Sequence, residues 1–307
     1  MDPVTHALVG GLVAKTVCAP RRRFWMLMFL GEMPDLDVLF GGLGPWAFWL
    51  HHRGITHSLP GVAIQAVLFA ALFSKFDPGP FRQRLLHYSL PLLLHVFCDY
   101  LTSYGVPLLS PFSFREFSGD LVPAVTVVPL MFMAAGLYSL HRKHREGWGA
   151  TRWMWMAWAM YLGFATGSRA YAAHLIKDEA PDATLVAGLM HPARFTAVVP
   201  EGPCCTYRSY RVNPLTGSWK EGKPIITPMY SPEIQASLAS EPTNQFVKSI
   251  RWPVGLVIPE PDGGSRVDWG KMLFSARGTV RRMWTVKISS GGVILEEHRA
   301  LGFWSPE

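Results

Sequence analysis

Charged side chains are scarce in this chain: Asp, Glu, Lys and Arg fill 17% of its 307 positions, where average proteins carry about a quarter. The mean hydropathy is positive, +0.16, and 49% of the residues are hydrophobic, a balance that departs from ordinary soluble proteins and points to a membrane part. Cysteine is also rare. Cys18 and Cys98 fall in apolar segments and Cys204 and Cys205 are adjacent, where a mutual bridge is strained, so no disulfide framework is expected. No Lys or Arg precedes the apolar core of "MDPVTHALVGGLVAKTVCAP" and three arginines follow it, so a cleaved signal peptide is not expected. A continuous basic stripe is missing too, despite a net charge of +7. The bases are grouped in short loops at 21–23, 75–84 and 141–145, between apolar runs. That is the positive-inside pattern of membrane proteins, and no nucleic-acid partner is expected.

What the chain does have is six apolar segments, at 4–19, 24–40, 59–73, 85–101, 121–140 and 153–174. The last two have the length and apolarity of spans, whereas the first two are short and also fit buried or re-entrant helices. Trp46, Trp49, Trp153, Trp155 and Trp158 suit interfacial belts. The expected fold is a membrane α-helical domain of about six helices, residues 1–176, followed by a small β-rich soluble domain, residues 177–307. With the basic loops cytoplasmic, both termini and the C-terminal domain face the periplasm.

This topology stacks ionisable residues in one layer. At a rise of about 1.5 Å per residue, His6, Asp35, Asp37, His57, His95 and Asp99 fall in the outer leaflet, from four segments. Ionisable groups inside a membrane are costly and usually face one another or a wet cavity. His95 and Asp99 are four apart in "LLHVFCDYLTSYG" and project from one helix face. Asp35 and Asp37 follow Pro34 in "GEMPDLDVLF", where a helix tends to end. In "HHRGITHSLPG", Gly54 permits a turn, Ser58 is a plausible N-cap with Pro60 early in the next helix, His52 or His57 can offer an imidazole, and Arg53 can hold an anion such as phosphate. Each cluster also has an ordinary reading: a His–Asp hydrogen bond, a capped turn, a solvated loop. As one set, imidazoles and carboxylates without thiolates suit zinc, manganese or iron, with donors enough for one or two ions. Such a metal site does hydrolytic chemistry, with Glu32 as general base or as a structural partner.

The motifs "MDPVTHAL", "PDLD", "HRGITHS" and "HVFCDYLTSYG", followed by "PFS" at 111–113, resemble the YdjM-like family of LexA-regulated inner-membrane proteins, described as metal-dependent hydrolases. Four ordered motifs over about 115 residues carry the resemblance. Their polar positions correspond to His6, Asp35, Asp37, His52, Arg53, His57, His95 and Asp99. The resemblance implies a bacterial inner-membrane protein related to zinc-dependent phospholipase C enzymes, whose His-x-x-x-Asp spacing recurs in His95 and Asp99. One departure stands out. Relatives commonly have aspartate before a proline in the fifth segment, where this chain has Val128 before Pro129. A smaller metal site or a substitute such as Asp120 is implied.

From Lys177 onward, alternating runs are separated by turn signals such as "PDGG" and "SSGG". This part has no dense set of metal-ligating side chains and reads as a lid or interaction module. Trp219, Trp252, Trp269 and Trp284 fit either a core or a lipid contact. The expected function is a membrane-embedded, metal-dependent hydrolase, with zinc at His6, Asp35, Asp37, His52, His57, His95 and Asp99. Glu32 and Arg53 would act on a phosphoester of a lipid or lipid-linked substrate. The alternative is a non-enzymatic metal-binding scaffold or a transporter.

Overall fold

A computed structural model describes residues 2–43, 54–113, 115–188, 190–202, 205–272 and 280–304. The chain divides into two units, Met1–Gly167 with Met190–Pro192, and Ser168–Leu189 with Ala193–Glu307.

Helices of the first unit begin and end where the sequence dictates. Asp2 caps α1 (Pro3–Thr16), its carboxylate accepting from Thr5 N at 2.9 Å and Thr5 Oγ1 at 2.7 Å, with Pro3 pre-set for the first turn. α2 (Arg21–Glu32) gives way to a 3-10 segment, Met33–Leu43; Met33, before Pro34, keeps helical dihedrals, and Pro34 sits in the first turn of the 3-10 segment. A second 3-10 turn, Ile55–His57, leads to Ser58, whose Oγ accepts from Gly61 N at 3.0 Å and caps α3 (Leu59–Leu72). Three longer elements follow: α4 (Phe81–Leu101), α5 (Val127–Arg142) and α6 (Trp148–Ile176).

Six membrane-spanning helices are not what these residues form. No described helix is long and apolar enough to cross a membrane. At about 1.5 Å per residue, α1, α2, α3 and α5 fall short of the roughly 30 Å hydrocarbon core. Polar side chains interrupt the other two: Arg84, His87, His95 and Asp99 in α4, Arg152, Arg169 and His174 in α6. Outward faces are nonetheless apolar, with Ile64, Val67, Met131, Phe132, Met160 and Phe164 exposed. Of the tryptophans expected at interfaces, Trp153 is exposed, but Trp158 is buried and Trp155 donates to Thr16 Oγ1 at 3.0 Å.

Leu27, Leu30, Phe69 and Tyr88 pack into one core cluster, and Leu12, Met133, Leu137 and Trp158 into another. Polar groups gather at the two ends of this unit. At one, Arg23 grips Asp77 with two 2.7 Å hydrogen bonds, Tyr88 donates to the same carboxylate at 2.8 Å, and Lys15 pairs with Glu146 at 2.8 Å. Burial alone would raise the Asp77 carboxyl, but the hydrogen bonds from Arg23 and Tyr88 outweigh it and hold the group below its ordinary value. The three basic loops therefore meet at this end. The N-terminus of α1, the C-terminus of α2, the N-terminus of α3 and the C-terminus of α4 lie at the other.

The second unit is β-rich. An antiparallel sheet runs in the order β1 (Thr184–Ala187), β2 (Phe195–Glu201), β3 (Thr206–Asn213) and β4 (Ser218–Glu221), with β5 (Ile225–Ile226) also on β3. Two short helices, α7 (Pro232–Ala239) and α8 (Glu241–Ser249), precede a second antiparallel sheet. It consists of β6 (Pro253–Pro259), β7 (Ser265–Met272), β8 (Val280–Ile288) and β9 (Ile294–Trp304). "PDGG" and "SSGG" make its hairpin turns, with Gly263 and Gly292 at φ of +81° and +80°, the left-handed region that favours glycine. Val186, Val198 and Tyr207 of the first sheet share a core with Trp252, Val254 and Met272. Trp252, Trp269 and Trp284 are core residues, whereas Trp219 is exposed.

Candidate metal centre

Four side chains from three parts of the chain converge at the end opposite the basic loops. Asp35 comes from the 3-10 segment after α2, His57 from the turn before α3, and His95 and Asp99 from successive turns of α4. Each offers one ligand atom, and the four atoms lie within 4.8 Å of one another. His57 Nε2 is 3.2 Å from Asp35 Oδ1, 3.2 Å from His95 Nε2 and 3.6 Å from Asp99 Oδ2. His95 Nε2 is 3.7 Å from Asp35 Oδ1 and 3.8 Å from Asp99 Oδ2. A tetrahedral zinc with bonds of about 2.0–2.1 Å requires ligand–ligand edges of about 3.3–3.4 Å. The donor set fits a small divalent cation in both size and chemistry.

Groups behind the donors fix their orientation. His95 Nδ1 donates to the Gly31 carbonyl at 2.7 Å, which can only accept, so the proton sits on Nδ1 and Nε2 presents a lone pair. Burial, reinforced by His57, holds the His95 imidazole down to about 3 and keeps it in the neutral, metal-binding form. Asp37 stands on the far side of His57, Oδ2 being 3.3 Å from Nδ1. His6 stacks on His95 with ring centroids 3.7 Å apart and faces Asp99 Oδ1 at 3.4 Å. The side chains of His57, His95 and Asp99 are fully buried, and that of Asp35 is 21% exposed. Glu32, at the end of α2, is half-buried. Burial and the charge of Asp35 push its carboxyl up to about 7, and its Oε1 is buried without a hydrogen-bond partner among the described residues.

Of the residues singled out in the sequence, the structure therefore gathers Asp35, His57, His95 and Asp99 as donors, with Asp37 and His6 flanking them. His52 and Arg53 lie outside the described residues. Val128 is 77% exposed in the first turn of α5. Asp120 is buried, with φ of 51°, and Gly119 N–Tyr100 O and Leu121 N–Leu101 O hydrogen bonds of 2.6 and 3.0 Å draw it alongside the end of α4. It does not join the four-donor group. Two groups that sequence reasoning missed are the Gly31 carbonyl, which carries no side-chain signal, and Thr56. Thr56 could have been noticed as the hydroxyl next to His57.

No solved structure matches the chain. YfhP of Bacillus subtilis (strain 168), an uncharacterised protein, is 34% identical over 104 residues, 34% of this chain and 31% of that protein, so the match spans about a third of that relative's length. The profile of the YdjM inner membrane protein family matches residues 1–178, which include all four donors, and the chain belongs to that family.

Proposed function

We propose that this protein is a metal-dependent hydrolase acting on a phosphoester of a lipid or lipid-linked molecule. One observation carries the metal reading. Two imidazole Nε2 atoms face each other at 3.2 Å beside the Asp35 and Asp99 carboxylates, and the acceptors on the far side of both rings leave each Nε2 able to present a lone pair to an ion bound between them. A cation between them satisfies both imidazoles and both carboxylates at once, which a single proton on His57 Nε2 does not. Zinc is the preferred ion, because its tetrahedral geometry and N/O ligands suit this set. Bound there, it would supply Lewis acidity and lower the pKa of water toward neutrality.

The chain's own groups have distinct tasks in this reading. Glu32, with its carboxyl near 7, accepts and returns a proton at working pH. Arg53 holds the substrate's phosphate through its planar fork. A lipid substrate is supported by the membrane family and by the exposed apolar faces of α3, α5 and α6. For location we propose the bacterial inner membrane, supported by the family match and by the exposed apolar faces of the first unit.

The test is metal analysis of the purified full-length protein, followed by incubation with labelled phospholipids. Bound zinc and a released phosphorylated product, lost on chelation and restored by zinc, are expected. Bound metal without product would favour the scaffold or transporter reading, and protein that takes up no divalent metal would overturn the proposal.

A further inference from the structure

We propose that Thr56 is a positioning residue of the metal centre: its hydroxyl fixes Asp37 and, with it, the ring of His57. This inference rests on the metal reading above and deepens it.

Thr56 Oγ1 is 2.7 Å from Asp37 Oδ2 and 3.1 Å from His57 Nδ1. A carboxylate only accepts, so the hydroxyl proton goes to Asp37. Having spent its proton there, the Thr56 oxygen faces His57 as an acceptor. Asp37 Oδ2, 3.3 Å from the same nitrogen, is an acceptor too. With an ion on Nε2, His57 Nδ1 carries the ring proton and finds these acceptors in place, while Nε2 turns its lone pair to the point shared with Asp35, His95 and Asp99. Without the hydroxyl, Asp37 loses a hydrogen bond and the ring loses an acceptor on its Nδ1 side. Nearby contacts hold Thr56 in place: Gln65 Nε2 donates to its carbonyl at 2.9 Å and Ser58 Oγ donates to Ile55 O at 2.7 Å. The turn Ile55–His57 thus delivers a ligand and the group that aims it within two consecutive residues. Outer-shell partners of this kind tune ligand basicity as well as direction.

The experiment uses full-length protein and three variants: Thr56→Val, which keeps the shape and removes the hydroxyl, Thr56→Ser, which retains it, and Asp37→Asn. Zinc affinity is read by competition with a chromophoric chelator, and cobalt(II) in place of zinc reports ligand geometry through its visible absorption. Thr56→Val should bind zinc about 10–100-fold more weakly with altered cobalt bands, while Thr56→Ser should resemble wild type. Combining Thr56→Val with Asp37→Asn should cost little more than Asp37→Asn alone, since both act through one ring. If wild type binds zinc and Thr56→Val binds it equally well, or if Thr56→Ser is as weak as Thr56→Val, the role of the hydroxyl is refuted and the metal reading stands. Should Thr56→Val not fold, wild-type affinity in Asp37→Asn would overturn the proposal by itself. Wild-type protein that binds no zinc would refute both.

Discussion

Replacing Gly31 with alanine tests whether helix packing holds the metal centre together. A Cβ at this position would overlap the backbone carbonyl of His6, lying 3.1 Å from its carbon and closer to its oxygen. No side-chain rotation relieves a clash between backbone atoms, so α1 and α2 have to part by roughly 1 Å before the contact becomes ordinary. Overpacking of this kind costs about 1–3 kcal/mol. The displacement reaches the centre by two routes. Gly31 O accepts from His95 Nδ1 at 2.7 Å, a bond that a shift of about 1 Å carries past hydrogen-bonding range. His6 meanwhile faces Asp99 Oδ1 at 3.4 Å. Loss of an outer-shell partner lowers metal affinity about 10–100-fold. Zinc titration against a competing chelator, in the same detergent for wild type and Gly31→Ala, should show at least a tenfold loss by this reasoning, together with a lower melting temperature for the metal-free protein. A variant that melts earlier yet binds zinc as tightly as wild type would show that the Gly31 carbonyl does not hold His95.

Three further outcomes are expected. Asp99→Asn keeps the shape of the side chain and removes its charge, and should lower zinc affinity at least about tenfold; wild-type stoichiometry under mild chelation would exclude Asp99 as a ligand. His57→Ala should lose metal and hydrolysis together, whereas Arg53→Ala should retain the metal and lose mainly substrate affinity, with little recovery in Arg53→Lys; parallel metal analysis and phosphoester hydrolysis separate the two, and an Arg53→Ala protein without metal would contradict the assignment. At the opposite end, Asp77→Asn leaves Arg23 buried without its carboxylate and should destabilise the protein by about 3–5 kcal/mol. Because the folded-state pKa of Asp77 is depressed, its contribution is present above the ordinary carboxylate pKa of about 4 and is lost as the pH falls through the lower folded value. Unfolding followed from pH 6 downward should therefore show a smaller acid-dependent loss in Asp77→Asn than in wild type, and identical slopes would refute the linkage.

The residues that could be read from sequence are those whose local rules and long-range packing agree. α2 ended two residues before Pro34, Ser58 capped α3, the glycine-rich turns made hairpins, and the four-residue spacing of His95 and Asp99 put both on one face of α4. Apolar composition misled where helix length mattered. The segment read over 24–40 was already short for a span, and about half of it is a 3-10 stretch that begins at Met33, where α2 ends. The ordering of the site was also hidden. Seven residues have the chemistry of ligands, and which of them face one point depends on packing between α1, α2 and α4 that no spacing encodes. Asp35 and Asp37 show this most clearly: two residues apart, they lie on different sides of His57.

The uneven burial of the four donors bears on how long an ion stays. Of the four donors Asp35 alone reaches solvent, and it is carried by the 3-10 segment Met33–Leu43, so an ion bound in the proposed centre would exchange past it. Hydrogen-bond geometry in such helices is poorer than in α-helices, which makes this segment the part of the centre that yields first. Metal exchange then becomes a conformational event, with its own half-life. When the supply of metal falls, that half-life, rather than the dissociation constant, would decide how long an ion bound in the proposed centre is kept.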